Sequence, residues 1–308
     1  GLSPDVFTFT CILKAGGSIR DIDKGKQIHD EIIKRSLLEK DIVLGSALVA
    51  MYAKCGVLAK AQEVLEELPV RDVVSWSALI TGYAELGDGG EALKCIEEMK
   101  LQGLSPNSVT YISTLKACGA IGALDMGQEI HSEIERKNLL GTDVVRNTLV
   151  DMYARCGSLA EAQQLLKNLP AHDIIAWNSL IAGYAQLGEV DNVVHMFDLL
   201  LCKGLKPDPV TFVILLTACS HLGLVNKSEL YYEWMIKGYG LAPRFEHHSC
   251  MIDVLGRTGQ LEKATTLIRR LQCSPDLVIC RTILGACKKW GHLELGKKVF
   301  ERAVQLDE

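Results

Sequence analysis

No apolar run in this chain approaches the roughly 18 residues a membrane-spanning helix needs, so no membrane role is expected. The first residues lack a charged segment followed by an apolar one, and therefore present no targeting peptide. Positive charge is not in excess. The 308 residues carry a formal net charge of −5, which gives no global pull toward a polyanion. Eleven cysteines are present, but no Cys-x-x-Cys pair, and Cys273 and Cys280 stand too far apart to imitate one. Neither a metal site nor a cofactor is expected. Cys55 and Cys156 recur in register instead, as do Cys118 and Cys219, with Cys287 in a similar setting. Such recurrence marks a small residue buried between helices, in a reducing interior rather than a disulfide framework.

What the chain does have is repetition. Asp72-Val-Val-Ser-Trp-Ser-Ala-Leu-Ile-Thr-Gly-Tyr-Ala-Glu-Leu-Gly87 returns 101 residues later as Asp173-Ile-Ile-Ala-Trp-Asn-Ser-Leu-Ile-Ala-Gly-Tyr-Ala-Gln-Leu-Gly188. Met51-Tyr-Ala-Lys-Cys-Gly56 returns at the same offset as Met152-Tyr-Ala-Arg-Cys-Gly157. A shorter period lies inside this block, marked by Pro4-Asp5, Asp41, Asp72, Pro106-Asn107, Asp173, Pro207-Asp208 and Pro275-Asp276. The chain divides accordingly into about nine units: 6–41, 42–72, 73–107, 108–142, 143–173, 174–208, 209–244, 245–276 and 277–308. One globular core of this size would be at its limit, whereas stacked repeats escape that limit because each contacts only its neighbours. Self-similarity therefore decides the architecture before any local reading does.

Within 73–107, Trp76, Leu79, Ile80 and Tyr83 form one helical stripe, which Trp177, Leu180, Ile181 and Tyr184 repeat in 174–208. The tryptophans read as core residues. Gly87–Gly90 breaks the first helix. A second follows with Ala92, Ile96 and Met99 inward and Glu91, Lys94, Glu97 and Glu98 outward, ended by Gly103 and barred by Pro106. Two short antiparallel helices cannot hide both apolar faces alone, and no strand pattern competes. The expectation is an all-α, right-handed superhelical solenoid of stacked antiparallel hairpins. Gly1–Asp5 matches the tail of a preceding unit, and the last unit stops without a punctuating turn, so a longer array is expected.

Three motifs carry a family resemblance across essentially the whole chain. Medium units read Val-Val-Ser-Trp-Ser-Ala-Leu-Ile-x-Gly-Tyr and close on Gly-Leu-x-Pro-Asp/Asn. Long units carry Gly25-Lys-Gln-Ile-His29 and Gly127-Gln-Glu-Ile-His131, and short units Met-Tyr-Ala-Lys/Arg-Cys-Gly. The set resembles pentatricopeptide repeats, and the alternation of unit lengths is similar to their PLS subclass, the plant organelle RNA-editing type. Residues 1–5 are then the tail of a preceding repeat; 6–41, 108–142 and 209–244 are long-type, and 42–72, 143–173 and 245–276 short-type. Residues 73–107 and 174–208 are P-type. Glu246–Arg257 looks like the last short unit, and 277–308 looks like the first extension motif, with Leu284-Gly-Ala-Cys287 and Gly291-His-Leu-Glu-Leu-Gly296.

The resemblance implies single-stranded RNA binding with one base per repeat, a code for which this family is a standing example. The fifth and last residues of a repeat select the base. Ser77 with Asn107 implies adenine, and Ser46 with Asp72 guanine. Asn147 with Asp173 and Asn178 with Asp208 imply uracil. Thr10 with Asp41 resembles a guanine reader, and Ser249 with Asp276 a weaker one. Ile112 and Val213 occupy reader positions without polarity, and Thr142 and Asp143 compete as the closing residue of 108–142. The implied core is G-G-A-n-U-U-n-n. Second-position residues Phe7, Val43, Val74, Val109, Val144, Ile175 and Val210 would sandwich the bases. Lys54, Arg155 and Arg257 recur where they can reach phosphates, or else belong to a solvated surface. The Asp and Asn residues also read as helix caps. His29 and His131 read as equivalent interior histidines, and the adjacent His247 and His248 point apart.

A C-to-U editing role needs a zinc deaminase signature, His-x-Glu…Pro-Cys-x-x-Cys, and none occurs here. The chain is therefore expected to be a binding module. A cytidine deaminase domain in cis or trans, and other editing-complex proteins, would be partners, in a mitochondrion or chloroplast. Two alternatives stay open: a protein-binding scaffold of the tetratricopeptide kind, and RNA processing or stabilisation without editing.

Overall fold

A computed structural model of the chain describes residues 4–38, 41–167, 173–270 and 277–307. It comprises two compact units, Gly1–Lys167 and Asn168–Glu308. Eighteen helices and no strand occur among the described residues. The first unit holds α1 (Val6–Ile19), α2 (Ile22–Lys34), α3 (Ile42–Lys54), α4 (Leu58–Glu67), α5 (Val73–Glu85), α6 (Gly89–Leu101), α7 (Ser108–Ile121), α8 (Leu124–Arg136), α9 (Asp143–Arg155) and α10 (Leu159–Lys167). The second holds α11 (Ile174–Gln186), α12 (Val190–Cys202), α13 (Pro209–His221), α14 (Val225–Glu233), α15 (Phe245–Arg257), α16 (Leu261–Arg270), α17 (Leu277–Trp290) and α18 (Leu293–Asp307). A π-helical turn, Trp234–Gly238, prolongs α14.

The hairpins arise from local signals. Asp72 caps α5, accepting from the Ser75 amide at 2.8 Å, while the Ser75 hydroxyl returns to the Asp72 backbone. Gly87, with φ of +83°, turns the chain directly after α5, and Asp88 caps α6. That left-handed conformation strains any residue with a Cβ. Within each unit the odd-numbered helices pack side by side, and the even-numbered ones pack across them in a second layer.

Odd helices are buried on more than one face. In α5, Trp76, Leu79, Ile80 and Tyr83 are buried, and so are Ser75, Ser77 and Gly82. Even helices are one-sided: α6 buries Ala92, Cys95, Ile96 and Met99 and exposes Glu97 and Glu98. Truncating a core leucine such as Leu79 would cost about 2–5 kcal/mol. The described cysteines are free thiols, and burial pushes Cys118 up to about 12, which keeps it protonated and apolar.

Two of the sequence motifs interlock between neighbouring repeats. A Cβ on Gly25 would meet Met51 Sδ at 2.4 Å, and one on Gly127 would meet Met152 Sδ at 2.5 Å. Glycine leaves a notch in which the methionine tip sits, and a Cβ there would push that flexible tip aside. One turn later His29 Nδ1 lies 2.9 Å from the Tyr52 hydroxyl, and His131 Nδ1 2.9 Å from that of Tyr153. The rings meet edge to face.

Burial, ahead of the nearby Lys60 charge, lowers the pKa of His29, and burial likewise lowers that of His131. The folded state thus favours the neutral rings. The associated stability is complete above the unfolded histidine value of ~6.5 and is lost as pH falls below it. The urea midpoint should therefore drop between pH 7 and pH 5, and His29→Gln with His131→Gln should flatten that slope. An equal slope in the double variant would assign it to other groups. Gly127→Ala would displace the flexible tip of Met152 while gaining helix propensity, so the same transitions should show a change of no more than about 1 kcal/mol.

Candidate functional site

One class of residue defies burial. Phe7, Val43, Val74, Val109, Val144, Ile175 and Val210 each stand in the first turn of an odd helix, with exposures from 53% (Val210) to 75% (Phe7). A single exposed valine needs no explanation, but apolar residues recurring in register form a ladder within each unit. Val278 of α17 adds a rung in the second unit, and the sequence reading had not marked it.

Beside the ladder lie the polar pairs. Ser46 Oγ is 2.9 Å from both Asp72 Oδ1 and the Ile42 carbonyl. Asn178 Nδ2 donates to Asp208 Oδ1 at 3.0 Å. Ser77 reaches Asn107 through an intermediary: its hydroxyl lies 2.7 Å from that of Thr110, which donates to Asn107 Oδ1 at 3.1 Å. Thr211 similarly links Asn178 Oδ1 and Asp208 Oδ1, at 2.8 and 2.9 Å. No bond joins Thr10 to Asp41. Thr10 donates to the Val6 carbonyl, and Asp41 caps α3 through the Leu44 amide. Asn147 lies on α9 in the first unit, whereas Asp173 caps α11 in the second through the Ile175 amide. Ser249 is half-buried on α15, and its expected partner Asp276 lies outside the described residues. Thr142 is the N-cap of α9 without a side-chain bond, while Asp143 sits inside the helix and pairs with Arg146.

Capping decides which polar atoms remain for a ligand. Asp72, Asn107 and Asp208 each turn Oδ1 inward to an amide of the following helix. The second polar atom of each is unengaged among the described residues: an acceptor oxygen on Asp72 and Asp208, a donor NH2 on Asn107. The hydroxyls of Ser75, Thr110 and Thr211 fix these orientations, and the sequence reading missed them. Their signal is a Ser or Thr three residues after each capping Asp or Asn.

A cavity of about 350 Å³ opens among these groups in the first unit, lined by Lys54, Val74, Ser77, Glu85, Asn107 and Val109 with small residues of α3 and α5. Two rungs of the ladder, one polar pair and one cation thus share a single concavity on the odd-helix layer. Lys54 is exposed, and its stem packs over Gly17. Its expected equivalents differ. Arg155 is bonded to Asp151 and Arg257 to Asp253, each at 2.8 Å, so both cations are partly neutralised where Lys54 is not. The two adjacent histidines part as expected: His247 donates to the Pro209 carbonyl and accepts from the Arg244 amide, while His248 meets Tyr232.

Models of the PPR repeat family match residues 71–120 and 172–221, and the PPR repeat matches 144–174 and 246–274, together just over half of the chain. The pentatricopeptide repeat-containing protein CRR2, chloroplastic, of Arabidopsis thaliana is 37% identical over 313 residues, covering 100% of this chain and 48% of that protein. Another from the same plant, At1g59720, chloroplastic/mitochondrial, is 34% identical over 308 residues, covering 98% of this chain and 48% of its own. The chain therefore spans about half the length of these relatives. The solved pentatricopeptide repeat protein PPR10, in complex with an 18-nt psaJ RNA element, superposes with a TM-score of 0.72 at 18% identity. That match covers 99% of this chain and 51% of the other, and it establishes the helical-repeat fold.

Thr110→Val removes both the link to Ser77 and the return bond to the Asn107 backbone. It should lower stability by about 1 kcal/mol in urea unfolding, and Thr211→Val should do likewise. A neutral result at both sites would show that the bridging hydroxyls hold nothing in place.

Proposed function

Because this chain belongs to the pentatricopeptide-repeat family, we propose that it binds single-stranded RNA sequence-specifically, one base to a repeat. The observation that carries this reading is the cavity joining Val74, Val109, Ser77, Asn107 and Lys54. Apolar contact above and below a base, a polar edge beside it and a cation near its phosphate are the elements of single-strand recognition.

The free cap atoms give the base preference a physical basis. The acceptor oxygens of Asp72 and Asp208 suit an N–H on the Watson–Crick edge, which guanine and uracil carry at N1 and N3. The Asn107 NH2 suits the bare N1 of adenine. In this reading Ser46–Asp72, Ser77–Asn107 and Asn178–Asp208 select G, A and U. Thr10 with Asp41 and Ser249 with Asp276 favour G. Part of the net charge of −5 lies away from the cavity, since Glu66 and Glu67 on α4 and Glu97 and Glu98 on α6 are exposed on the even layer. At the cavity itself Glu85 faces Lys54 across the same lining.

The length pattern of the repeats and the extension-like 277–308 favour the PLS, editing-factor class. The chain then serves as the address module that places a cytidine before a deaminase supplied in cis or in trans. The chloroplastic and mitochondrial relatives favour an organellar setting.

Fluorescence anisotropy at fixed salt should show at least tenfold preference for G-G-A-n-U-U-n-n over an RNA with A changed to C and U-U to G-G. Equal, salt-sensitive binding of both would reduce the reading to charge attraction. Asn107→Asp exchanges a donor for an acceptor and should move the third base from adenine to guanine, with a discrimination of about 1–3 kcal/mol. Unchanged preference would refute the assignment of that repeat.

A further inference from the structure

A second concavity of about 400 Å³ lies in the second unit, between α15 and α17. It is lined by Asp253, Arg257, Arg281, Thr282 and Lys289 with Gly256, Gly285 and Ala286. Counted from the start of each helix, these positions coincide with those of the first cavity. Arg257 stands where Lys54 does, Arg281 where Ser77 does, and Lys289 where Glu85 does; Gly256 and Ala286 replace Ala53 and Gly82. The same seat recurs with its chemistry inverted. The neutral reader has become a guanidinium and the carboxylate an ammonium.

The cations are arranged rather than scattered. Lys289 donates to the Arg257 carbonyl at 3.1 Å and lies 5.1 Å over the Trp290 ring, whose Nε1 donates to the Gly256 carbonyl at 3.0 Å. Asp253 is already engaged by Arg257 and by the Ser220 hydroxyl at 2.5 Å. Arg281 is exposed and has no carboxylate partner among the described residues. Three cationic groups therefore face one occupied carboxylate. A guanidinium presents only donors, in a planar fork that matches phosphate oxygens.

We propose that the α15–α17 seat binds a phosphodiester group of single-stranded RNA, so that the last hairpin grips the strand beside the read bases instead of reading one. This rests on the RNA-binding function proposed above. Val278, exposed in the first turn of α17, keeps one rung of the ladder, while Arg281 replaces the base reader.

The test uses the full chain and anisotropy over a range of salt. The probes are G-G-A-n-U-U-n-n alone and the same RNA with four additional 3′ uridines, or four guanines. The extended RNAs should bind several-fold more tightly than the core, whichever base is added. Arg281→Gln with Lys289→Gln should abolish that gain and leave the core's base preference intact. The salt slope should fall by about 0.7 for each phosphate that the variant no longer neutralises. Arg281→Lys should retain most of the gain. A gain confined to guanines would make Arg281 a base reader and overturn the proposal, as would an undiminished gain in the double glutamine variant. Discrimination of core from control RNA without any gain from extension would remove this seat alone. Failure of the wild type to discriminate would remove the RNA-binding reading and the seat with it.

Discussion

The structure depends on apolar surface that no hairpin can bury by itself. The odd helices are hydrophobic on several faces, so α5 needs α6 on one side and α3 and α7 on the others. Burial at roughly 25 cal/mol per Å² makes contact between neighbours the dominant favourable term. It also makes each repeat's geometry a property of its neighbours. The Gly25–Met51 and His29–Tyr52 contacts are the same dependence in miniature, since each joins a second helix to the first helix of the next repeat.

Stacking brings the capping residue of one odd helix beside the fifth residue of the previous one, and this gives the caps a second use. An Asp or Asn at an N-cap needs only one oxygen for the helix amide. The other polar atom stays at the surface, with its identity set by a single atom of the side chain. Ser75, Thr110 and Thr211 hold the cap still from within. Local helix chemistry and the proposed base selection therefore share residues without conflict: the part that stabilises is buried, and the part that discriminates is not.

Charge near the concavities differs from the net sign. Glu66, Glu67, Glu97 and Glu98 lie exposed on even helices, while Lys54 and Arg257 end odd helices beside a concavity, the first of which Glu85 also lines. Lys54, unpaired among the described residues, offers a stronger local attraction than Arg155 or Arg257, each of which shares its charge with a carboxylate one turn back. Surface pairs of that kind add little stability. They do lower the local field, which distinguishes three cations that look equivalent in the sequence.

The sequence by itself determined the helical-repeat fold, because periodicity of 3.6 residues, helix-ending glycines and a 101-residue echo are local or near-local signals. It also marked Trp76 and Trp177 as core and the capping role of Asp72, Asn107 and Asp208, which the structure shows. Tertiary structure alone decided that Oδ1 of Asp72 and of Asp208 is also taken by the preceding odd helix, through Ser46 and Asn178, because those partners lie far from the caps in the chain. It decided that Thr10 and Asp41 make no direct bond, and that Arg155 and Arg257 are paired where Lys54 is not. It also showed that Arg281 and Lys289 line a concavity of their own, at the helix positions that Ser77 and Glu85 hold in the first cavity. Side-chain partners lie about 30 residues apart in the chain, and only the packing of one hairpin on the next brings them within hydrogen-bond reach.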